Sequence, residues 1–446
     1  MNMKINWFSP LPPARTDIAH YTTRVLPALS AVADVTLWTD QRDWDQSLKT
    51  QVEVRPFRLG RMPWVELNRA DANFYQIGNN PLFHSSIWQI SRLHAGIVVL
   101  HDFRLHHFFD DIFRVKWRDL NSYCAVMANY YGEEGRRDAA ESFKSEARNI
   151  AYMAQRYPLT ELATKNQLGV IVHTQETFDA LAGPAPSPIM LAPLPFAAGP
   201  ATARGKSSTA KQTGPPYRLI VFGYLGRSRR LPSLLKALAE LAEPAQFHLD
   251  IYGDILDDED KLRVQIRALG LNDQVTIHGF ATEAKLDEAL SRAHLAVNLR
   301  HPTMGEASGS QLRIWKHALP ALVSSVGWYA SLPPDTVAFV RPDENEVADI
   351  QSHLRALLAE PQAFVAMGQR GRRELEEKHA PERYANSLLE IARLSGEFRA
   401  RTALNRLAER AGSLLSEWLG PNDLGAAAAN IATEIFEMGT MQKRER

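Results

Sequence analysis

The sequence is short of cysteine and has no excess of charge of either sign. Cys124 is its only cysteine, which excludes a disulfide within the chain and a cysteine-based zinc site. Lys and Arg together number 51, the same as Asp and Glu, so no overall field favours nucleic acid. We therefore expect a protein of a reducing compartment that has no nucleic-acid partner and builds any phosphate site locally.

Long hydrophobic runs are also missing. The first residues, MNMKINWFSPLPPART, lack the apolar core of a secretory signal. No stretch approaches the roughly 20 apolar residues that span a bilayer. We expect a cytoplasmic protein, whose membrane contact, if any, would be peripheral and on the inner face of the cytoplasmic membrane.

What the sequence does contain is enough apolar sequence for more than one domain. Its 446 residues are 45% hydrophobic, which allows two or three domains. Short β-rich runs alternate with longer amphipathic segments, and this predicts parallel sheets covered by helices. The expected fold class is α/β, with two doubly wound, Rossmann-like domains facing across a cleft. Strands are predicted at 4–8, 35–38, 74–77, 97–100 and 170–173, and again at 219–223, 247–253, 275–279, 295–299 and 321–325.

The two halves are separated by a segment rich in Ala, Gly, Pro, Ser and Thr, which is typical of a linker. A polar region at about 116–156 predicts a helical insertion, either solvated or facing a substrate. Apolar residues at three-four spacing predict a helix over 399–419, packed on the body or on a second subunit in a homodimer. The predicted units are a first domain at 1–196, a linker at 197–216, a second domain at 217–389 and a helical extension at 390–446.

Two segments of the second half combine a strand end with residues suited to phosphate. VFGYLGRSRRLPSLLKAL carries Arg227, Arg229 and Arg230 just before a helix, where guanidinium groups and the helix dipole both favour a diphosphate. LRHPTMGEASGSQLRIWKHALPALVS places Glu306 and the small residues 308–310 at a second such turn, where a ligand can approach backbone amides. The alternatives are a solvated arginine loop and a helix that is merely capped by Ser308 or Ser310.

Polar residues also follow strands in the first half. VVLHDFRLHHFF puts His101, Asp102, His106 and His107 at a predicted strand end, which is the mouth of the cleft. A metal site is not predicted, because no further ligand group is apparent and adjacent histidines point to different helix faces. Two further turns carry polar residues that are either turn formers or cleft contacts: Asn79 and Asn80 in YQIGNNPLFHS, and Arg15, Thr16 and Asp17 in PLPPARTDIAHYT.

Together these segments resemble retaining glycosyltransferase family 4, also called group 1, in its bacterial branch. The motifs that carry the resemblance are YQIGNNPLFH, VVLHDFRLHH, PTMGEASGSQLR and GWYASLPPD, and they occur in the family's order. The resemblance covers residues 3 to about 389. It implies the GT-B fold, with the acceptor mainly on the first domain and a nucleotide-sugar donor mainly on the second.

The resemblance also implies roles for individual residues. His101 corresponds to a histidine that faces the donor sugar, and Glu306 to a glutamate that holds sugar hydroxyls. Arg229 stands where a lysine usually neutralises the diphosphate, with Arg230 in support, and Ser308, Gly309 and Ser310 would offer amides to sugar and phosphate. Arg313 is the remaining residue expected to bind the donor. The cleft or acceptor residues would be Arg15, Thr16, Asp17, Asn79, Asn80 and Asp102.

Three positions depart from the family pattern. Counting back from Pro320, the second glutamate of the Glu-x7-Glu element, normally a ribose contact, falls on Arg313, and the first then falls on Gly305, one residue before Glu306. The usual Gly-Arg pair reads Gly223-Tyr224, and Asp17 stands where glycine is common. The family mechanism implies no side-chain nucleophile, no metal and no cofactor besides the nucleotide-sugar co-substrate, so the protein's work is positioning and charge stabilisation.

The expected activity is sugar transfer with retention to a glycan or lipid-linked acceptor, in polysaccharide or lipopolysaccharide assembly. Two alternatives stay open at this point. One is a GT-B epimerase that remakes the sugar without an acceptor. The other is a non-catalytic, glycosyltransferase-like binding subunit, which the departures at Arg313 and Tyr224 favour.

Overall fold

The computed structural model describes residues 2–144, 146–183, 187–199, 214–256 and 258–418. Within these ranges the chain forms two α/β domains, each built on a parallel sheet. This confirms the predicted fold class. Most of the predicted linker and the part of the helical extension beyond residue 418 lie outside the described residues.

The first domain contains a seven-stranded sheet in the order β3-β2-β1-β4-β5-β6-β7. All neighbours are parallel; Ile5, for example, lies opposite Val35 on one side and Ala72 on the other. The five strands expected from the sequence are present, and two short edge strands, β3 and β7, were not expected. The strands are β1 (Met3–Phe8), β2 (Ala33–Thr39), β3 (Glu53–Pro56), β4 (Ala72–Ile77), β5 (Ile97–Leu100), β6 (Gly169–Val172) and β7 (Ile189–Leu191).

Helices cover this sheet because the central strands are apolar on both faces. Every residue of β4, β5 and β6 is buried, as expected for parallel strands. The helices are α1 (Asp17–Ser30), α2 (Trp64–Leu67), α3 (Pro81–Leu93), α4 (His106–Asp110), α5 (Leu120–Glu141), α6 (Ile150–Arg156), α7 (Thr160–Thr164) and α8 (Gln175–Leu181), with a π-helical turn at Asp111–Lys116 and 3₁₀ turns at Gln46–Thr50, Leu59–Arg61 and Glu146–Arg148.

The second domain repeats the pattern with six parallel strands in the order β10-β9-β8-β11-β12-β13. Five of them were expected, and the edge strand β13 was not. The elements are β8 (Tyr217–Phe222), α9 (Leu231–Ala239), β9 (Phe247–Tyr252), α10 (Glu259–Ala268), β10 (Val275–Gly279), α11 (Glu283–Arg292), β11 (Leu295–Asn298), α12 (Gly309–Lys316), β12 (Ala321–Ser324), α13 (Gly327–Ala330), β13 (Ala338–Val340), α14 (Glu346–Ala359) and α15 (Pro361–Lys378), with 3₁₀ turns at Arg227–Arg229 and Pro244–Gln246.

The last two helices return to the first domain. Helix α16 (Pro381–Gly396) packs on α1, where the hydroxyls of Tyr384 and Tyr21 lie 2.6 Å apart. The predicted boundary after residue 389 therefore falls inside a continuous helix. Helix α17 (Arg399–Trp418) packs on the body, since Arg406 donates to the backbone carbonyls of Ser91 and Asn166. This agrees with one of the two alternatives for that helix, and a homodimer stays a prediction.

The helical insertion is held to the first domain by buried polar contacts. The Tyr123 hydroxyl of α5 lies 2.7 Å from Nε2 of His106, whose Nδ1 bonds to the Tyr157 carbonyl at 2.6 Å. Asp138 accepts hydrogen bonds from the hydroxyls of Tyr157 and Tyr152. His106 is thus a core residue and does not lie at the cleft mouth, where its position after β5 had placed it.

Candidate active site

The carboxyl ends of the two sheets meet at an interdomain cleft. The backbone N–H of Arg104, which follows β5, donates to the Met304 carbonyl, which follows β11, at 2.8 Å. The Arg104 guanidinium also reaches the Thr303 carbonyl at 3.4 Å and pairs with Glu176 of α8 at 3.1 Å. The loops after β5 and β11 are therefore directly attached to each other, which brings polar residues of both domains to one place.

A cavity of about 190 Å³ opens between the domains beside these loops. Aromatic rings form part of its wall, contributed by Phe222, Tyr252 and Phe280 of the second domain and by Phe196 at the end of the first. Phe280 is 63% exposed, and the Arg15 guanidinium lies 5.3 Å from its ring centre. Such a wall offers stacking area to a flat ring. The polar lining residues include Asp17, Arg24, Glu283, Ser310 and Arg313.

Arg229 is a buried cation at the inner end of the cleft. Its side chain donates to Oδ1 of Asn298 at 2.7 Å and to the Tyr224 carbonyl at 3.4 Å, and it makes no ion pair with a carboxylate of the described residues. Burial, reinforced by the nearby positive charge of Arg300, lowers its pKa to about 10. An uncompensated buried guanidinium is costly. This one is therefore suited to a negatively charged ligand.

The other two arginines of this loop are placed differently. Arg230 has a left-handed backbone (φ 56°) and forms a forked ion pair with Glu346, which is 2% exposed. Its charge is therefore already balanced inside the second domain. Arg227 is exposed. The structure thus brings Arg229 to the cleft, whereas Arg230 anchors the loop to α14.

Glu306 is held at the tip of the loop after β11. Its Oε2 accepts from the Thr303 hydroxyl at 2.8 Å and from the Met304 backbone N–H at 2.7 Å, and its Oε1 lies 3.3 Å from Nε of Arg300. The side chain is 19% exposed. The loop thus fixes the orientation of the Glu306 carboxylate through Oε2, while Oε1 faces Arg300.

The tightness of this loop depends on Gly305. Its φ is +81°, and a Cβ atom at this position would lie 2.5 Å from Cβ of Phe103 in the first domain. Glycine meets both requirements because it lacks a Cβ and tolerates positive φ. The Thr174 hydroxyl also donates to the Gly305 carbonyl at 3.5 Å.

His101 lies on the opposite wall as a neutral imidazole. Its Nε2 is 2.9 Å from Oε1 of Gln76, and its ring meets the ring of Tyr21 edge to face at 4.7 Å. Burial, together with the neighbouring His173, holds the pKa of His101 well below its usual range. Because a carbonyl oxygen only accepts, the contact to Gln76 places the proton on Nε2. The other ring nitrogen, Nδ1, is then an acceptor.

Asp102, the next residue, has an unusual titration. Its Oδ2 accepts from the Asn79 backbone N–H at 2.7 Å. Burial raises its pKa to about 7, and the negative charge of Glu306 across the cleft adds to the effect. Asp102 and Glu306 are therefore carboxylates of different domains that are close enough for the charge of Glu306 to raise the pKa of Asp102.

Most of the remaining predicted residues of the first domain form hydrogen bonds with its backbone or cap its helices. The Asn79 side chain accepts from the Phe108 N–H at 3.0 Å, and Asn80 is the N-cap of α3. Thr16 is the N-cap of α1 and Asp17 stands in its first turn, at the cavity. Arg15 pairs with Asp254 across the cleft at 3.2 Å but is 68% exposed, so this pair adds little to stability.

At the start of α12, one residue caps the helix and the next two line the cavity. Ser308 is the N-cap, and its hydroxyl accepts from the Gln311 N–H at 3.1 Å. Gly309 and Ser310 line the cavity. Arg313 also lines it, but its charge is balanced by Glu283 at 2.8 Å and Asp287 at 2.7 Å.

Three arginines of the site were not singled out from the sequence. Arg300 lies two residues after the end of β11, so the strand-end rule that selected His101 could have found it. Arg24 lies on α1 and reaches the cavity beside Gly309, with its pKa lowered to about 10 chiefly by burial. Arg104 joins the two domains. No sequence pattern marks the last two, because their roles arise from contacts between domains.

Some groupings are absent from the described ranges. Among those residues, no set of three or more His, Cys, Asp or Glu side chains is placed to hold a metal ion. Of the helices that the structure describes, none is long and apolar enough to cross a membrane.

Comparison with solved structures identifies the fold. Sucrose-phosphate synthase from Thermosynechococcus elongatus aligns with a TM-score of 0.59 and 16% identity, covering 88% of this chain and 98% of the other. Alr3699/HepE from Anabaena, solved with UDP and glucose, gives 0.56 and 15%, covering 87% and 99%. WaaG, a glycosyltransferase involved in lipopolysaccharide biosynthesis, gives 0.52 and 15%, covering 86% and 98%. The protein therefore has the GT-B fold of two Rossmann-like domains.

The sequence comparison adds the class of the second domain. Residues 206–374 match the family model described as glycosyl transferases group 1. This part of the chain is therefore similar to a group 1 glycosyltransferase domain, and it contains Arg229, Arg300 and Glu306. No curated protein matches the sequence.

Proposed function

We propose that this protein is a retaining glycosyltransferase that moves a sugar from a nucleoside-diphosphate donor to a glycan or lipid-linked acceptor. The observation that carries the proposal is Arg229, a buried guanidinium without a carboxylate partner among the described residues. It lies beside Gly223, which lines the aromatic-walled cavity, and within electrostatic reach of Glu306. A diphosphate is the ligand that balances such a charge. The group 1 domain and the GT-B fold support the same conclusion.

The donor occupies the cleft from the cavity inward. The nucleoside lies against the aromatic wall, and the diphosphate lies at Arg229 and the amide groups at the start of α12, where the helix dipole favours an anion. The neighbouring structure of Alr3699/HepE with UDP-glucose supports a donor of this class. Arginine charge at the diphosphate makes the reaction independent of an added metal in our proposal.

The sugar lies between Glu306 and His101. Glu306 accepts hydrogen bonds from sugar hydroxyls, while neutral His101 offers its unprotonated nitrogen without adding positive charge. In the transfer step, the bond from the anomeric carbon to the phosphate oxygen breaks. The acceptor oxygen then bonds to that carbon on the same face, and its proton passes to the departing phosphate oxygen. The protein contributes orientation and charge stabilisation.

The acceptor approaches from the first domain, past Asp102 and Asn79. We place the activity at polysaccharide or lipopolysaccharide assembly in the cytoplasm, with peripheral contact to the inner face of the membrane where the acceptor is lipid-linked. The structural neighbour WaaG, which is involved in lipopolysaccharide biosynthesis, supports this placement.

The test begins with the thermal unfolding midpoint of the purified protein in the presence of UDP-, GDP-, ADP-, CMP- and TDP-sugars. A ligand that binds only the folded state raises the midpoint, by about 2.7 kcal/mol of stability at a hundredfold excess over Kd. Turnover is then followed as nucleoside diphosphate released with and without candidate acceptors. Retention is read from the anomeric configuration of the product.

Two variants sharpen this test. Glu306→Gln should lose more than about 90% of turnover while still binding the nucleotide, and Glu259→Gln, an exposed change on α10, should leave both intact. Conversion of the donor sugar without an acceptor would instead identify an epimerase. Donor binding without turnover in the wild type, or no donor binding at all, would refute the proposal in favour of a binding subunit.

A further inference from the structure

Two guanidinium groups converge in the cleft, and only one of them belongs to the glycine-containing loop after β8. The second is Arg300, from the loop after β11. We propose that Arg300 is the second ligand of the donor's diphosphate and that, before donor binding, Glu306 holds it in place. This inference rests on the proposed function, and it names a residue that neither the motifs nor the comparisons assign.

The backbone fixes Arg300 beside the phosphate loop. Its N–H donates to the Ser324 hydroxyl at 3.0 Å, and its Nη1 donates to the hydroxyl of Ser228 at 3.3 Å. Ser228 directly precedes Arg229, and its carbonyl accepts from the His301 N–H at 2.8 Å. The two arginines are therefore held on loops that are hydrogen-bonded to each other.

The positive charges of Arg229 and Arg300 are not fully balanced by carboxylates of the described residues. Arg229 makes no ion pair among the described residues, and Arg300 has one, with Glu306. Nε of Arg300 is buried and lacks a hydrogen-bond partner although Oε1 of Glu306 is 3.3 Å away. The other oxygen of Glu306 is already used by its own loop. One carboxylate oxygen, Oε1 of Glu306, thus contacts one of the two guanidinium groups, that of Arg300. Glu306 acts on Arg229 only at a distance, and Asp17 acts on both from the exposed end of α1.

The other basic residues of the phosphate loop are less suited to this role. Arg230 is committed to Glu346 by three hydrogen bonds, and Arg227 is exposed. Releasing Arg230 would leave the Glu346 carboxylate buried without a partner, which is strongly destabilising. Arg300 is held less firmly, because only Oε1 of Glu306, at 3.3 Å, faces its Nε, and a diphosphate oxygen can replace that carboxylate oxygen.

The inference predicts that Arg300 discriminates diphosphate from monophosphate. Using the nucleotide family that stabilises the wild type, the Kd values of the nucleoside diphosphate and monophosphate are measured by calorimetry. Arg300→Gln should weaken binding of the diphosphate about tenfold or more and of the monophosphate less than about threefold. Arg300→Lys, which retains charge but not the fork, should fall between. Arg292→Gln, at an exposed pair on α11, is the control for charge.

A double-mutant cycle tests whether Arg300 contacts the diphosphate itself or only stabilises the loop around it. Glu306→Gln removes the competing carboxylate, so it should tighten binding of the sugar-free diphosphate by about threefold. That gain should vanish in the Arg300→Gln background. Should Arg300→Gln lower the unfolding midpoint severely, Arg300→Lys carries the same comparison.

The outcomes distinguish the two proposals. If the wild type binds no nucleoside diphosphate, the proposed function fails and this inference fails with it. If the wild type binds but Arg300→Gln and Arg300→Lys keep the wild-type ratio of the two Kd values, only the role of Arg300 is refuted. Equal losses for monophosphate and diphosphate would likewise assign Arg300 to folding of the loop.

Discussion

Asp102 links the stability of the protein to pH in a direction opposite to that of most carboxylates. Its pKa rises from the ordinary 3.8 to about 7 in the folded protein. The native state therefore holds a proton that the unfolded state has lost, and stability falls as pH rises between these two values. The difference corresponds to about 4 kcal/mol at 1.36 kcal/mol per pH unit. Because the cleft admits water to this half-buried side chain, we expect about 2 kcal/mol.

Replacing Asp102 with Asn removes this cost, because the amide stays neutral and its oxygen still accepts from the Asn79 N–H. The unfolding midpoint of Asp102→Asn should exceed that of the wild type by about 4–8 °C at pH 8 and by about half as much at pH 4.5. It should match the wild type within about 1 °C at pH 3, below the ordinary pKa of the carboxyl. Differential scanning calorimetry across this range measures the difference, with Asp40→Asn, an exposed carboxylate after β2, as the control. A difference that is constant with pH, or that grows towards acid, would refute the assignment.

Three further outcomes follow from contacts across the domains. Arg104→Ala should lower kcat about tenfold while the Kd of the nucleoside diphosphate changes less than about twofold, because it frees the loop that carries Glu306. Steady-state kinetics measures the first effect and calorimetry the second. Gly305→Ala should cost about 1–3 kcal/mol of stability in chemical denaturation, whereas Gly60→Ala, with open space around it, should cost far less. Tyr384→Phe should cost about 1–2 kcal/mol by orphaning the buried Tyr21 hydroxyl, and the double Phe variant should recover part of that loss; full additivity would contradict the pairing.

The comparison of sequence with structure is clearest at the strands. Continuous apolar runs between turn residues were sufficient to locate the central strands of both sheets, because parallel strands are buried on both faces. The edge strands β3, β7 and β13 were missed. They have three or four residues each, and the residues of β7 are all only partly buried, so their hydrophobic signal is weak.

The residues of the candidate site were predicted from their position after strands, and not from any contact that the sequence reveals. Arg229, Glu306, His101 and Asp102 follow strands, and parallel strands bring their carboxyl ends to one edge, so a local pattern could place them near each other. The same rule also placed His106 at the mouth. The fold instead turned it into the core, because its two ring nitrogens are satisfied there by Tyr123 and Tyr157.

The sequence by itself determined the alternation of strands and helices, the two-domain plan and the set of strand ends that carry polar residues. These depend on local periodicity and on turn chemistry, which a linear pattern records. The tertiary structure decided which charges are free. Arg230 is matched by Glu346 and Arg313 by Glu283 and Asp287, whereas Arg229 has no such partner among the described residues. Ion pairing depends on distances between residues far apart in the chain, so only the folded protein could separate the arginines that stabilise it from those available to a ligand.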